Sequence, residues 1–110
     1  MALTPEIVDR KLPEIVRRLR DALQPVTIHL FGSCAAGTIG PDSDVDLLVV
    51  VRESDLSFFE RGAVAYRALR GVGVPIDVQV YTQAEFEERA SLPVSFERTV
   101  LHKGRVLYAA

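Results

Sequence analysis

Apolar residues recur at every third or fourth position between residues 4 and 23, and polar residues fill the positions between them. This spacing predicts an amphipathic helix that begins at Thr4 as N-cap, with Pro5 in its first turn. Pro25 ends the helix, and Pro13 is predicted to kink it or to divide it in two. The apolar stripe consists of Val8, Leu12, Ile15, Leu19 and Leu23.

Three later segments have the composition of strands. Residues 26–31 and 75–82 are rich in β-forming residues, and residues 45–51 contain an almost unbroken apolar run. Such a run is typical of a strand that is buried on both faces, so the segment 45–51 is predicted to be central in its sheet. The segment RVLY near the end of the chain predicts a short edge strand.

The remaining segments have helical spacing. A helix is predicted over 54–70 with Ser54 as its cap, and its core-facing side chains are predicted to be Phe59, Ala63, Tyr66 and Leu69 or Arg70. Thr82 is the predicted cap of a short acidic helix, and a last helix over 93–102 ends at Gly104. The order of elements predicts an α/β (α+β) fold in which helices flank a small mixed β-sheet.

Composition narrows the class of protein. A chain of 110 residues predicts one domain over residues 1–110. No stretch is apolar enough to span a membrane, and a lone cysteine, Cys34, fits a reducing compartment, so the expected location is the cytoplasm. The net charge of −2 provides no long-range attraction to nucleic acid.

Carboxylates mark the beginning of the most apolar strand. Asp44 and Asp46 are two residues apart, so in a strand they share a face at a spacing of about 7 Å. Asp77 is the only acid in the strand predicted over 75–82. If the two strands are neighbours, these carboxylates come together and repel one another unless they become protonated or bind cations. Oxygen ligands without nearby histidine or cysteine favour two Mg²⁺ ions, or Mn²⁺, over zinc.

A glycine-serine turn precedes these acids. Gly32 lets a ligand approach the backbone closely, and the Ser33 hydroxyl and nearby backbone N–H groups are suited to a phosphate oxygen. The turn lacks the lysine of a P-loop, and a glycine-serine pair after a strand is by itself commonly an ordinary turn. Together with the Asp-x-Asp segment that follows it, the turn predicts a phosphate ester bound between metal ions.

Gly32-Ser33 followed by Asp44-Val45-Asp46 resembles the signature of the DNA polymerase β superfamily of nucleotidyltransferases. The short length, the wording PDSDVDLLVV and the later IDVQVYT are similar to its minimal nucleotidyltransferases. The resemblance implies the nucleotidyltransferase fold and nucleotidyl transfer from an NTP with two Mg²⁺ ions. It assigns both metals to Asp44 and Asp46, the catalytic metal and activation of the acceptor hydroxyl to Asp77, and the triphosphate to Gly32 and Ser33.

The same resemblance implies a partner. Minimal nucleotidyltransferases are often encoded beside a HEPN-domain protein, and in some pairs the enzyme is an antitoxin that transfers AMP from ATP to a tyrosine of the HEPN toxin. The expected function is therefore Mg²⁺-dependent adenylylation of a partner protein. The alternatives are a binding module that neutralises its partner by occlusion, and a transferase for small molecules such as aminoglycosides.

One position departs from the resemblance. Relatives often have a basic residue directly after Gly-Ser, whereas Cys34, Ala35 and Ala36 are uncharged here. Phosphate contacts would then have to come from Arg52, from an arginine of the first helix or from a partner.

Two other interpretations of the acidic segment remain. Asp42, Asp44, Asp46 and Glu53 match most ligand positions of an EF-hand loop, but Leu47 replaces the glycine that its turn needs. Alternatively, Asp42 and Asp44 belong to an ordinary turn and Asp46 lies on the solvated face of an edge strand. Asp42 itself is interpreted as a turn residue, and Cys34 as a small packed residue in preference to a nucleophile.

Overall fold

The computed structural model describes residues 2–110. Its helices are α1 (Pro5–Leu23), α2 (Gly32–Ala36), α3 (Phe58–Ala68), α4 (Gln83–Ala90) and α5 (Phe96–Lys103). Its strands are β1 (Thr27–Phe31), β2 (Val45–Val51), β3 (Ile76–Thr82) and β4 (Arg105–Ala109). Within this range no helix is long and apolar enough to cross a membrane.

The four strands form one mixed sheet in the order β3-β2-β1-β4. β2 runs parallel to β3 and antiparallel to β1, and β4 pairs with the other side of β1. The predicted α/β fold with a small mixed sheet is therefore confirmed. β2 is central and almost wholly buried, as its apolar run predicted, and β4 is the predicted edge strand.

Helices cover both faces of the sheet. On one face, α1 and α3 pack against alternate strand residues such as Leu47, Val49 and Val80. On the other face, Phe86 and Ala90 of α4 and Val100 of α5 cover a smaller cluster that contains Leu48, Val50 and Tyr81. Asp46 comes two residues before Leu48 on this second face and is only partly buried. Helices α4 and α5 thus leave the end of this face that carries Asp46 uncovered.

Helix α1 is continuous across Pro13, so the proline does not divide it in two, and the alternative that Pro13 kinks the helix stays a prediction. The predicted cap is present, because the Thr4 hydroxyl accepts a hydrogen bond from the Ile7 N–H at 3.2 Å. The missing N–H of Pro13 is tolerated because the helix is anchored by packing on both sides of it. The buried residues are Val8, Leu12, Ile15 and Leu19.

Helix α3 differs most from its prediction. It begins at Phe58 with Ser57 as its cap, and Glu60 completes a capping box. The predicted core face is wrong at three positions, since Phe59 is 86% exposed, Tyr66 is 47% exposed and Ala63 is also exposed. A charged residue, Arg61, is buried on this helix instead.

Arg61 is buried because its guanidinium is fully engaged. Its Nε donates to the Val80 carbonyl at 3.1 Å, and one NH₂ group donates to the Leu56 carbonyl at 2.9 Å. The other NH₂ group contacts Glu85 Oε1 at 2.7 Å. A buried charge requires such pairing, and the partners lie in other elements of the chain, where helical periodicity could not reveal them.

The remaining boundaries differ little. Thr82 caps α4 as predicted, and α5 begins at Phe96, after its Ser95 cap, and ends before Gly104. Helix α2 was not predicted, because five residues are too few to show a helical period. It follows β1 without a break and places the glycine-serine pair directly at the end of that strand.

Candidate active site

The pairing of β2 with β3 brings two of the predicted carboxylates together. Asp46 and Asp77 are register partners in this parallel pair, and their side chains leave the same face of the sheet. Both residues are partly buried, whereas Asp44 lies just before β2 and is exposed. The predicted adjacency of the two strands is confirmed, and it places Asp77 beside Asp46.

The glycine-serine pair lies on the other side of Asp46. Phe31, the last residue of β1, is opposite Asp46, and Gly32 follows with a left-handed φ of +69°. A Cβ atom at Gly32 would collide with Oδ2 of Asp46. The backbone at Gly32 therefore approaches the carboxylate to a distance that only glycine allows. The predicted nucleotide-binding residues Gly32 and Ser33 thus lie at the edge of the carboxylate site.

The carboxylates influence one another electrostatically. Burial, then the negative charges of Asp77 and Asp44, raise the pKa of the Asp46 carboxyl to about 6. Like charges and desolvation both disfavour the ionised form. A cation bound between these groups would remove much of this penalty, because it would replace repulsion by attraction.

The donor set fits Mg²⁺ or Mn²⁺, since every candidate ligand is a carboxylate oxygen. Asp46 and Asp77 face one another from paired strands, and Asp44 acts on Asp46 from the beginning of the same strand. Across residues 2–110, no three His, Cys, Asp or Glu side chains already converge as a ready metal-binding group. Binding would therefore require side-chain rotation at this site, and the ligand roles of Asp44, Asp46 and Asp77 stay predictions.

Cys34 has the properties of a packed thiol. Its Sγ lies 3.3 Å from the Asp44 carbonyl oxygen, and its side chain packs against the larger core. Burial, then the charge of Asp46, raise the pKa of the thiol, so it stays protonated at neutral pH. This agrees with the interpretation of Cys34 as a structural residue.

The proposed sources of positive charge lie elsewhere. Arg52 is six residues beyond Asp46 along β2, which corresponds to about 20 Å in a strand. Arg18 of α1 donates to the Arg70 carbonyl at 2.8 Å, and Arg20 lies over the ring of Tyr108 at 4.5 Å. Arg52 is therefore not beside the glycine-serine turn, and compensation by another arginine of α1 or by a partner stays a prediction.

The structure excludes the EF-hand interpretation and the edge-strand part of the other, although Asp42 and Asp44 do lie in the exposed segment before β2. Leu47 and the residues after it form a strand, so an EF-hand loop is absent between Asp42 and Glu53. β2 lies between β1 and β3, so Asp46 does not belong to an edge strand.

One side chain at the site was not predicted from the sequence. The hydroxyl of Tyr66, which was predicted to be core, lies 3.3 Å from Oδ1 of Asp77. The contact depends on how α3 packs beside β3, and helical spacing carries no signal for it.

Comparison with known proteins identifies the class. The model of the family described as "Nucleotidyltransferase domain" matches residues 10–107. The chain belongs to this family, and the resemblance seen in its motifs is confirmed. It is thus a nucleotidyltransferase by family, with its carboxylates and glycine-serine pair inside the matched region.

Individual relatives make the comparison more specific. The "Putative protein adenylyltransferase" of Methanocaldococcus jannaschii is 37% identical over 81 residues, which cover 74% of this chain and 76% of that protein. The structure of a protein described as a "putative nucleotidyltransferase" from Sulfolobus solfataricus is 27% identical with a TM-score of 0.59, over 76% of this chain and 77% of the other.

A solved toxin–antitoxin structure with AMP-PNP shares the fold. Its TM-score is 0.55 at 23% identity, and the alignment covers 90% of this chain and 73% of the other. A mutant MntA-HpeT toxin–antitoxin structure gives the same TM-score of 0.55 at 20% identity, with the same coverage.

Proposed function

We propose that this protein transfers AMP from ATP to a tyrosine hydroxyl of a HEPN-type partner toxin, and thereby acts as an antitoxin. The observation that carries the proposal is the pairing of Asp46 with Asp77 beside the Gly32 turn. The similarity to a protein named as an adenylyltransferase supports the choice of reaction. The shared fold of a toxin–antitoxin structure with AMP-PNP supports ATP and a toxin partner.

In this reaction the acceptor oxygen attacks the α-phosphorus of ATP. A new P–O bond forms, the bond between the α- and β-phosphates breaks, and pyrophosphate leaves. Asp44 and Asp46 would hold two Mg²⁺ ions and Asp77 one of them, and the bound ions supply charge for the attacking and leaving oxygens. Asp77 would accept the hydroxyl proton, while Gly32 and Ser33 would hold the triphosphate.

The order of the strands supports a different side of the site for each reactant. The Gly32 turn follows β1, whereas Asp77 lies on β3, and β2 separates them. ATP bound at the turn would extend toward Asp46, so the acceptor hydroxyl would arrive from the side of β3. This side is the edge of the sheet that no other strand covers, and a partner that reaches the partly buried Asp77 would approach beside α3.

Label transfer tests the proposal. The protein is incubated with Mg²⁺, a lysate of its source organism and ATP labelled on the α- or the γ-phosphate. We expect a discrete protein band from the α-label alone. The band should disappear with Asp46→Asn and persist with Asp42→Asn, which removes an equal charge from the exposed turn nearby. Equal bands from both labels would contradict nucleotidyl transfer.

A second candidate function is neutralisation of the partner by occlusion alone. The uncharged residues Cys34, Ala35 and Ala36 favour it, because phosphate contacts would be fewer. Under this function, Asp46→Asn should protect cells from the toxin as well as the wild-type protein does. Loss of protection with Asp46→Asn, together with retained complex formation, would instead support transfer.

A further inference from the structure

The hydroxyl of Tyr66 connects α3 to the free edge of β3. It accepts a hydrogen bond from the Val78 N–H at 3.2 Å and donates one to Oδ1 of Asp77 at 3.3 Å. β3 pairs only with β2, so the Val78 N–H that Tyr66 receives belongs to the unpaired side of the strand. The Tyr66 hydroxyl therefore links the Asp77 carboxylate to the backbone N–H of Val78 through two hydrogen bonds.

This contact restricts the orientation of Asp77. Within residues 2–110 it is the only hydrogen bond to the Asp77 carboxylate, and it engages one oxygen while Oδ2 stays available. A carboxylate fixed by a neighbouring donor loses less rotational freedom when it binds a ligand. The side chain of Tyr66 is 47% exposed and lines an open cavity of about 310 Å³ with Phe58, Phe59 and Val78. Its two hydrogen bonds, to the Val78 N–H and to Asp77, hold the phenol at the edge of β3.

We infer that Tyr66 is a positioning residue for Asp77: it holds the carboxylate in place for the cation and the acceptor hydroxyl. The inference rests on the proposed function for the role of Asp77. Loss of a hydrogen bond that orients a metal-binding side chain typically lowers metal affinity or activity by about 10- to 100-fold. Removing the Tyr66 hydroxyl should have an effect at the lower end of this range, because the ring and its packing are kept.

The order of the strands predicts which kinetic constant changes. Tyr66 lies at the outer side of β3, and the Gly32 turn lies beyond β2 on the other side of the carboxylates. The Tyr66 hydroxyl therefore acts on Asp77 without contact with the triphosphate. kcat should fall, while KM for ATP should change by about twofold or less.

Arg61 provides a matched control. Like Tyr66, it extends from α3 and bonds to the free side of β3, at the Val80 carbonyl. Its contacts do not include any of the site carboxylates. If Tyr66 only protected the edge strand, Tyr66→Phe and Arg61→Met would impair the protein in the same way.

The test compares the full-length wild-type protein with Tyr66→Phe and Arg61→Met. Calorimetric titration with Mn²⁺, in the absence of nucleotide, measures cation affinity. Transfer of α-labelled AMP to the lysate acceptor, over a range of ATP concentrations, gives kcat and KM. We expect Tyr66→Phe to weaken Mn²⁺ binding and to lower kcat, each by about 10-fold. Arg61→Met should lower the melting temperature and leave both quantities unchanged.

The outcomes separate the inference from the proposed function. If Tyr66→Phe kept the wild-type Mn²⁺ affinity and kcat, the inference would be wrong but the proposed function would stand. The same conclusion would follow if Arg61→Met lost as much Mn²⁺ affinity and kcat as Tyr66→Phe. Weaker Mn²⁺ binding by Tyr66→Phe without transfer by any variant would support the positioning role and overturn the transferase. If the wild-type protein bound no Mn²⁺, both the inference and the metal-dependent function would be wrong.

Discussion

Asp46 and Asp77 face one another across the parallel pair β2 and β3, although 31 positions separate them in the chain. In the absence of a cation they repel one another. Asp46→Asn should therefore stabilise the protein in EDTA by about 1 kcal/mol, a value reduced by partial solvent exposure. The same change should lower transfer about 100-fold or more, since it removes a metal ligand.

Urea unfolding at pH 8, with EDTA or with Mg²⁺, measures the first effect. Mg²⁺ should stabilise the wild-type protein and not the Asp46→Asn variant. Asp42→Asn, at the exposed turn, should behave like the wild type. Equal stabilisation of Asp46→Asn by Mg²⁺ would show that the ion binds elsewhere.

Two glycines with similar backbones allow a test of the Gly32 approach to Asp46. Gly32 and Gly37 have φ values of +69° and +77°, but a Cβ atom collides with Asp46 at Gly32 and meets open space at Gly37. Both alanine variants should lose about 1 kcal/mol of stability because of the left-handed backbone. Only Gly32→Ala should also lose Mg²⁺ binding and transfer. Equal losses of binding in both variants would mean that backbone strain alone is responsible.

His29 should make the stability depend on pH. It is buried on β1, lies 3.0 Å from the Thr27 hydroxyl through Nε2 and stacks on Phe86 at 5.7 Å. Burial lowers the pKa of His29 from its usual 6.5, so the unfolded chain binds a proton more readily than the folded protein does. The stability associated with neutral His29 is present above pH 6.5 and is lost as pH falls below it through the folded pKa.

His29→Gln removes this proton-binding group and keeps a polar side chain. Between pH 7 and 5, the wild-type protein should lose more stability than His29→Gln does. Urea unfolding across this pH range measures the difference. Parallel pH profiles for the two proteins would contradict the prediction.

Tyr81 and Glu97 form a buried pair that joins β3 to α5. The Tyr81 hydroxyl donates to Glu97 Oε2 at 2.7 Å, and both residues are less than one tenth exposed. Burial, then the hydrogen bond to Glu97, raise the pKa of Tyr81, so the phenol stays protonated. Tyr81→Phe leaves the carboxylate without this donor and should cost about 2 kcal/mol.

A double-mutant cycle with Glu97→Leu checks this explanation. The Tyr81→Phe/Glu97→Leu protein should be more stable than the sum of the single changes predicts, by about 1 kcal/mol. Strict additivity would mean that the two side chains stabilise the protein independently.

Local patterns in the sequence were sufficient for much of the fold. Helix α1 has its cap and stripe as predicted, because both depend on residues within one or two turns. β2 is central because an apolar strand needs cover on both faces. Asp77 lies on the face of β3 opposite Val78, as the alternation of side chains along any strand requires, since side-chain direction in a strand is a local property.

The errors concern contacts between distant segments. Arg61 is buried because Val80 and Glu85 receive its donors, and Tyr66 is half-exposed at Asp77 because α3 lies beside the free edge of β3. Helical periodicity treats a charged residue as solvated and an aromatic one as core, and it contains no information about a partner in another element.

The sequence by itself thus determined most of the local elements, the sheet face of the strand carboxylates and the motif that identifies the family. Only the tertiary structure decided that Asp46 pairs with Asp77, that Gly32 touches Asp46 and that Tyr66 reaches Asp77. The physical reason is that residue type and spacing control local conformation, whereas strand register and helix packing depend on how the whole core is filled.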